Sequence, residues 1–382
     1  MTAPQIKGWC PGALQPMQSG DGWLVRIRPP SGTLTPAQAT GIAIAAGTHG
    51  NGILDLSSRA NLQLRGIREA AHPALIEDLR ALGLIDPDIA TETARNVVIT
   101  PFRDAATDRL AASLSRVLAG APALPGKFGF AIDTGSAPIL TATPADIRLE
   151  RTATGTLVLR ADGHPLGRPV TEATAAREAL ILARWFLAQG GAPDGRGRMA
   201  SLIARGMIPD GCTDASALSL APPGPGLVAE GALVAFAFGQ MQAETLVALA
   251  ALDLPMVITP WRMILLAGAT ALPQIDAVII NAADPLLHIT ACTGAPGCAQ
   301  ALGPTRALAR SLASDVTPGQ HLHISGCTKG CAHPGPAALT LVATPNGYSL
   351  IRNGCASDAP HLTDLPATHL ARHLKAPDAS PV

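Results

Sequence analysis

The sequence predicts an α+β protein with α/β lobes, built on a duplicated strand–helix–strand unit whose two copies pair about a pseudo-two-fold axis. Three observations carry this. The same order of elements recurs around residues 23–67 and 232–267. Each copy is followed by a mixed stretch of strands and helices. The second such stretch holds four of the seven cysteines as two close pairs.

The 382 residues allow two or three domains around a large core. With 47% hydrophobic and 15% charged residues the composition is globular rather than disordered. Lys+Arg and Asp+Glu both number 28, so the basic excess of a nucleic-acid-binding chain is absent and any anion site must be local. Met1 to Gly8 has no apolar run of the signal-peptide kind, and Pro260 and Arg262 interrupt the apolar stretch 256–267. The expectation is a soluble, cytoplasmic protein without a membrane partner.

Trp23–Arg28 alternates as a strand, with Trp23, Val25 and Ile27 on one face and Arg26 and Arg28 on the other. Thr35 and Pro36 open a helix as N-cap and first residue. After a turn at 47–52, residues 53–67 resume strand character. There Arg59, Asn61, Gln63 and Arg65 share one face, a pattern that suits carboxylate recognition but also fits an ordinary exposed sheet face. A helix is expected over 104–118, a strand over 124–131, hairpin strands to about 160 and a helix over 171–189. The Gly- and Pro-rich segment 190–226 reads as a linker. The plan then repeats: a strand at 232–238, a helix at 242–252 and a strand or strand pair at 256–267. Ile53–Arg59 aligns with Pro255–Arg262, as expected of an internal duplication. The tail 377–382 reads as loose.

Cys292 and Cys298 are five residues apart, Cys327 and Cys331 three, with a helix expected over 300–312 between the pairs. Gly- and Pro-rich loops of this kind can bring four thiolates to one iron–sulfur cluster, and a helix beginning just after Cys298 would favour its thiolate. Structural zinc is the rival, with His288, His321, His323 and His333 available to a mixed site; its ligand pairs are usually two to four residues apart. Four unrelated core cysteines are the bland alternative. Cys212 and Cys355 read as incidental thiols, and Cys10, in the turn Gly8-Trp9-Cys10-Pro11-Gly12, as a weak redox or substrate-site candidate.

The duplicated units, the Arg95-Asn96-Val97 and Leu124-Pro125-Gly126-Lys127-Phe128 motifs and the cysteine loops resemble, in order, the sulfite/nitrite reductase superfamily. The resemblance implies ferredoxin-like half-domains at 8–69 and 227–270, reductase-like lobes at 92–190 and 275–375, and a linker at 191–226. It implies a [4Fe–4S] cluster on Cys292, Cys298, Cys327 and Cys331. It also places Arg59, Arg65, Arg95, Lys127, Gln63 and Asn61 at a tetrapyrrole, with Arg26 and Arg28 as further cations. One departure stands out: the superfamily's Lys-x-Lys pair is Lys127-Phe128-Gly129 here, which counts against reduction of a small oxyanion.

Within the superfamily, the stretches 8–12, 19–22, 259–262 and 326–334 are similar to a branch of monooxygenases in aerobic cobalamin (vitamin B12) biosynthesis. That resemblance implies hydroxylation of precorrin-3A at a meso carbon with lactone formation. It further implies O2 as oxidant, electrons ultimately from NADH or NADPH, and a mononuclear non-haem iron, for which His49, Asp55, His288, His323 and His333 are candidate ligands. No GxGxxG fingerprint follows a strand, so a separate electron-transfer reductase is expected. The alternatives are a small sirohaem-dependent sulfite or nitrite reductase, a zinc or electron-carrier module, and a tetrapyrrole carrier without a cluster.

Overall fold

The computed structural model describes residues 11–375. Cys10, the start of its turn and the tail 377–382 lie outside the described residues.

The first unit runs β1 (Met17–Ser19), β2 (Gly22–Ile27), β3 (Thr33–Leu34), α1 (Pro36–His49), β4 (Ile53–Leu56) and β5 (Leu62–Ile67). Thr35 and Gln38 close a reciprocal capping box at the start of α1, satisfying two orphan amides. Helices α2 (His72–Ala81) and α3 (Ile89–Ala94) follow.

The first lobe contains β6 (Val97–Ile99), α4 (Ala105–Leu118), β7 (Phe130–Asp133), β8 (Ile147–Arg151), β9 (Leu157–Ala161), β10 (Leu166–Pro169), α5 (Glu172–Ala188), α6 (Met199–Ala204) and β11 (Asp214–Ala215). Its sheet is ordered β11-β10-β9-β8-β7-β6, and α4 and α5 pack on each other beside it.

The second unit repeats the first: β12 (Gly226–Val228), β13 (Gly231–Ala235), β14 (Gln240–Gln242), α7 (Ala243–Ala250), β15 (Met256–Ile258) and β16 (Met263–Ala267). The second lobe has β17 (Ile289–Ala291), α8 (Arg306–Leu312), β18 (Leu322–Ser325), β19 (Ala337–Thr344), β20 (Gly347–Gly354), β21 (Leu362–Leu365) and α9 (Leu370–Leu374). Its sheet keeps sequence order, with β17, β18 and β19 parallel.

The two units exchange strands. β14 completes the first unit's sheet beside β4, and β3 completes the second unit's sheet beside β15. The registers are reciprocal: Leu34 faces Met256, and Met241 faces Leu54. The hairpin tips match as well. Ser57 Oγ accepts from the amides of Arg59 and Asn61, and Thr259 Oγ1 from those of Trp261 and Met263. In each tip the next residue is left-handed, Ala60 at φ 53° and Arg262 at φ 62°. Helices α1 and α7 pack together, and one buried cluster runs through both units, from Val25 and Ile42 to Leu246 and Ile264. At about 1.5–3 kcal/mol for each large apolar side chain buried, this shared core makes the units interdependent.

Four expectations change. Residues 53–67 form a hairpin, because the Ser57 turn reverses the chain. The strand expected at 124–131 starts only at Phe130, since Pro125 and Gly126 set a turn closed by the Phe128 amide on the Pro125 carbonyl. The helix expected at 300–312 starts at Arg306; Pro304 bars a helical residue before it, and the backbone of Leu302 and Gly303 is bonded to Gly326 and Ala295. Cys298 is therefore not at a helix N-terminus. The supposed linker folds onto the first lobe: Met199 and Leu202 are buried in its core, and β11 pairs with β10. Among the described residues no helix is long and apolar enough to cross a membrane.

Candidate functional site

Two neighbouring parallel strands deliver the cysteines. Ala291 is level with Ile324 in the β17–β18 pair, so Cys292 and Cys327 leave the sheet side by side at its carboxyl edge, where open α/β sheets bind ligands. Cys298 follows a turn closed by its amide on the Gly294 carbonyl at 2.8 Å. The Gly326 amide donates to Cys292 Sγ at 3.2 Å, the kind of bond that stabilises a thiolate ligand. Gly326 permits this approach, for a Cβ there would stand 2.6 Å from Ala301. Burial pushes the Cys331 thiol up, Lys329 pulls it down, and Cys327, Cys292 and Cys298 are close enough to push it up further. None of the described cysteines is in a disulfide.

The first unit cradles this edge. Ser19 Oγ and the Gly20 amide both donate to the Gly297 carbonyl, next to Cys298. A Cβ on Gly20 would lie 2.7 Å from the Pro296 carbonyl, which accounts for glycine there. Asp21 holds Arg65 through two bonds of 2.9 Å, and Arg65 also donates to Gly297 O and Asp55. Arg306, on α8, reaches Asp55 from the other side at 3.0 Å. Arg65, 4% exposed, is thus spent on fixing the cysteine loop. The expectation that it faces a substrate gives way, because half-buried Asp21, buried Asp55, the Ser19 hydroxyl and a carbonyl take its donors.

Beside the cysteines opens a cavity of about 870 Å3, in the upper part of the usual range of about 300–1,000 Å3 for ligand clefts. Cys298, Cys327 and Cys331 lie on its wall with Lys127, Arg196, Arg198 and Lys329; no carboxylate residue is among its described lining. Four cations and no acid line it, and one of the four, Arg198, is paired with Asp146 behind the wall.

Of the expected anion-binding residues, Lys127 is on the wall and Arg59 donates to its carbonyl at 3.0 Å. Gln63 accepts from Arg26 at 2.6 Å, Asn61 is buried at the hairpin tip, and Arg95 pairs with Asp86 and donates to Arg28 O. Arg95 is therefore turned to an internal ion pair. Gly129 is explained by crowding: a Cβ there would be 2.8 Å from Asn96 Nδ2 and 3.1 Å from Arg59. A second lysine has no room unless both move.

Reading residues 191–226 as a linker missed Arg196 and Arg198. Nothing in the local pattern Gly195-Arg196-Gly197-Arg198 marks them as cavity residues, since glycine is equally at home in a flexible loop. Asp146, also missed, is fully buried. Its Oδ1 accepts from Arg198 Nε and the Met199 amide, and its Oδ2 from the Gly129 amide.

The histidines gather behind the Cys327–Cys331 loop, where a Cβ on Gly330 would lie 3.7 Å from His323 Cε1. The His333 ring lies 4.6 Å from His321 and 5.6 Å from His323. His323 is fully buried with neither ring nitrogen bonded, and burial lowers its pKa to about 4. His49 is bonded to Asp78 and Asp55 to arginines. Among the described residues no three His, Cys, Asp or Glu side chains converge at the spacing of a single-ion site. The mononuclear iron that the resemblance implies thus finds no ready ligand set, and no role is derived for it. The four cysteines that the resemblance assigns to a cluster lie at one edge of the second lobe, with Cys298, Cys327 and Cys331 on one cavity wall and Cys292 close enough to Cys331 to act on its thiol.

Residues 15–82 match the nitrite/sulfite reductase ferredoxin-like half domain. The solved structure of Mycobacterium tuberculosis NirA protein covers 92% of this chain and 79% of its own, with a TM-score of 0.57 at 16% identity, a likeness of fold. The duplicated half-domains and two lobes place the chain in the sulfite/nitrite reductase superfamily of oxidoreductases. A curated relative from Sinorhizobium sp, named precorrin-3B synthase, is 31% identical over 94% of this chain and 85% of its own length. The chain belongs to the precorrin-3B synthase family.

Proposed function

We propose that this protein is a monooxygenase that hydroxylates precorrin-3A at a meso carbon with lactone formation, in aerobic cobalamin biosynthesis. The observation that carries the reading is the acid-free, four-cation cavity walled by Cys298, Cys327 and Cys331, in a chain of this family. Precorrins carry carboxylates around the rim of a macrocycle. Cations on several sides would fix which meso carbon faces the cysteine wall, and that orientation is itself a large part of catalysis.

Cys292, Cys298, Cys327 and Cys331 would hold the [4Fe–4S] cluster, which supplies electrons one at a time. Lys127 and Lys329 would bind carboxylates, with Arg59 holding the Lys127 loop through its carbonyl. Ser19, Gly20 and Arg65 keep the Cys298 loop against the cavity. In the net reaction one oxygen atom of O2 enters the substrate and the other leaves as water. Two electrons and two protons are consumed, the electrons coming from NADH or NADPH through a separate reductase. Reduction of sulfite or nitrite is disfavoured by the crowding at Gly129.

The test is anaerobic purification with iron, sulfide and zinc analysis, then incubation with precorrin-3A, O2 and a reducing system. One oxygen atom from 18O2 in the product supports the reading. Bound sirohaem, or zinc without sulfide, would overturn it.

A further inference from the structure

We infer that residues 195–198 form an arginine arm that grips the rim carboxylates of the substrate. The inference rests on the tetrapyrrole reading above and adds to it a binding element from a different part of the chain.

The arm's backbone is fixed. Gly195 and Gly197 have φ of 70° and 159°, and a Cβ on Gly197 would stand 1.8 Å from the Gly191 carbonyl. Only glycine fits there, and it pins the arm to the end of α5. Beyond it, Arg198 is anchored: its Nε donates to Asp146 at 2.9 Å and its Nη2 to the Ala145 carbonyl at 3.1 Å. Arg196, between the glycines, is exposed and lies on the cavity wall.

Asp146 ties this arm to the loop that presents Lys127. One oxygen holds Arg198 and Met199; the other holds the Gly129 amide at 3.0 Å. A lysine at 129 would displace Arg59 and Asn96, whereas an arginine arriving from 196 needs no space there. The cavity thus has two cationic loops joined through one buried carboxylate, so the spacing of Lys127 and Arg196 is set in advance. That suits a rigid macrocycle with several fixed carboxylates better than a small oxyanion. Asp146 is a positioning residue, and Arg196 makes the contact.

The test uses the whole protein and uroporphyrin III, an air-stable tetrapyrrole with eight carboxylates, followed by fluorescence titration at fixed ionic strength. Arg196→Ala should weaken binding about ten-fold, as expected for loss of a charge-assisted contact. Arg196→Lys should recover part of it, since it keeps the charge but loses the planar fork. Arg184→Ala, on the exposed side of α5, removes the same charge away from the cavity and should leave binding unchanged. Equal affinity of wild type and Arg196→Ala would overturn the arm alone. Equal weakening by Arg184→Ala would reduce it to net charge and overturn it too. Failure of the wild type to bind uroporphyrin III would overturn the tetrapyrrole reading, and the arm with it.

Discussion

Replacing Asp146 by Asn tests whether one buried carboxylate couples the two cationic loops. The native side chain meets three donors: Arg198 Nε at 2.9 Å, the Met199 amide at 2.8 Å and the Gly129 amide at 3.0 Å. Asparagine has one acceptor oxygen. If it stays with Arg198 and Met199, its NH2 confronts the Gly129 N–H, and a buried amide loses its partner at about 1–3 kcal/mol. Losing the charge opposite Arg198 adds at most about 1 kcal/mol, because that guanidinium is partly solvated. The expected destabilisation is therefore about 1–4 kcal/mol by urea unfolding. Amide hydrogen exchange should show loss of protection at Gly129 with protection at Met199 retained. Uroporphyrin III binding should weaken because the Lys127 loop is loosened, although no cavity-lining residue has been changed. A variant within about 0.5 kcal/mol of wild type, or one losing protection equally at both amides, would refute the coupling.

Cys298→Ser or Cys331→Ser should abolish cluster assembly; full retention of iron and sulfide would remove that residue from the ligand set. Lys127→Ala and Arg59→Ala should weaken tetrapyrrole binding with iron and sulfide unchanged, and unaltered affinity would place the anion site elsewhere. Burial pushes the Asp133 carboxyl from 3.8 to about 6, against two backbone amides that pull it down. The folded state therefore holds this proton more tightly than the unfolded one, and Asp133 should lower stability by up to about 3 kcal/mol as pH rises from about 4 to 6, with no change above. In Asp133→Asn the carbonyl oxygen can still accept from Ile139 and Leu140, so urea midpoints measured from pH 4 to 7 should lose that decline; a parallel curve would show that another group titrates.

Local chemistry was legible in the sequence where one stretch decided the outcome. Thr35, Pro36 and Gln38 announced the start of α1, and the repeated order of elements announced the duplication. The failures came where distant residues decide. Arg59 to Arg65 alternate as a strand would, yet the Ser57 hydroxyl turns the chain and leaves Arg59 at a hairpin tip. Arg65 looked like a surface cation because Asp21 and Asp55, which hold it, are remote in pattern if not in number. Gly190–Gly226 looked like a linker because glycines permit flexibility; here Gly197 serves close approach, which only the position of Gly191 reveals. The cysteine spacing suggested a shared site, but which edge of the fold the two pairs reach depends on the parallel pairing of β17 with β18, and no local pattern encodes that.

The duplication gives the molecule two equivalent hairpin tips, and the sequence has used them differently. The first tip sends Arg59 to the Lys127 carbonyl in the first lobe. The second sends Arg262 toward the Ala332 carbonyl in the cysteine lobe, while Trp261 stacks on Phe102. Each unit thus braces one lobe. The Cys298 loop docks on the first unit through Ser19, Gly20 and Arg65, whereas Ala332, next to Cys331, meets Arg262 of the second unit. This docking brings the cysteine edge of one lobe against the cationic loops of the other and so creates the cavity between them. On the reading proposed above, glycine at 129 and an arginine arm at 196 leave the cysteine cradle undisturbed, because Ser19, Gly20 and Arg65 belong to the first unit and not to the first lobe. The departure from the Lys-x-Lys pattern at Gly129 lies on the first-lobe side, while the cysteine lobe brings Lys329 to the same cavity wall.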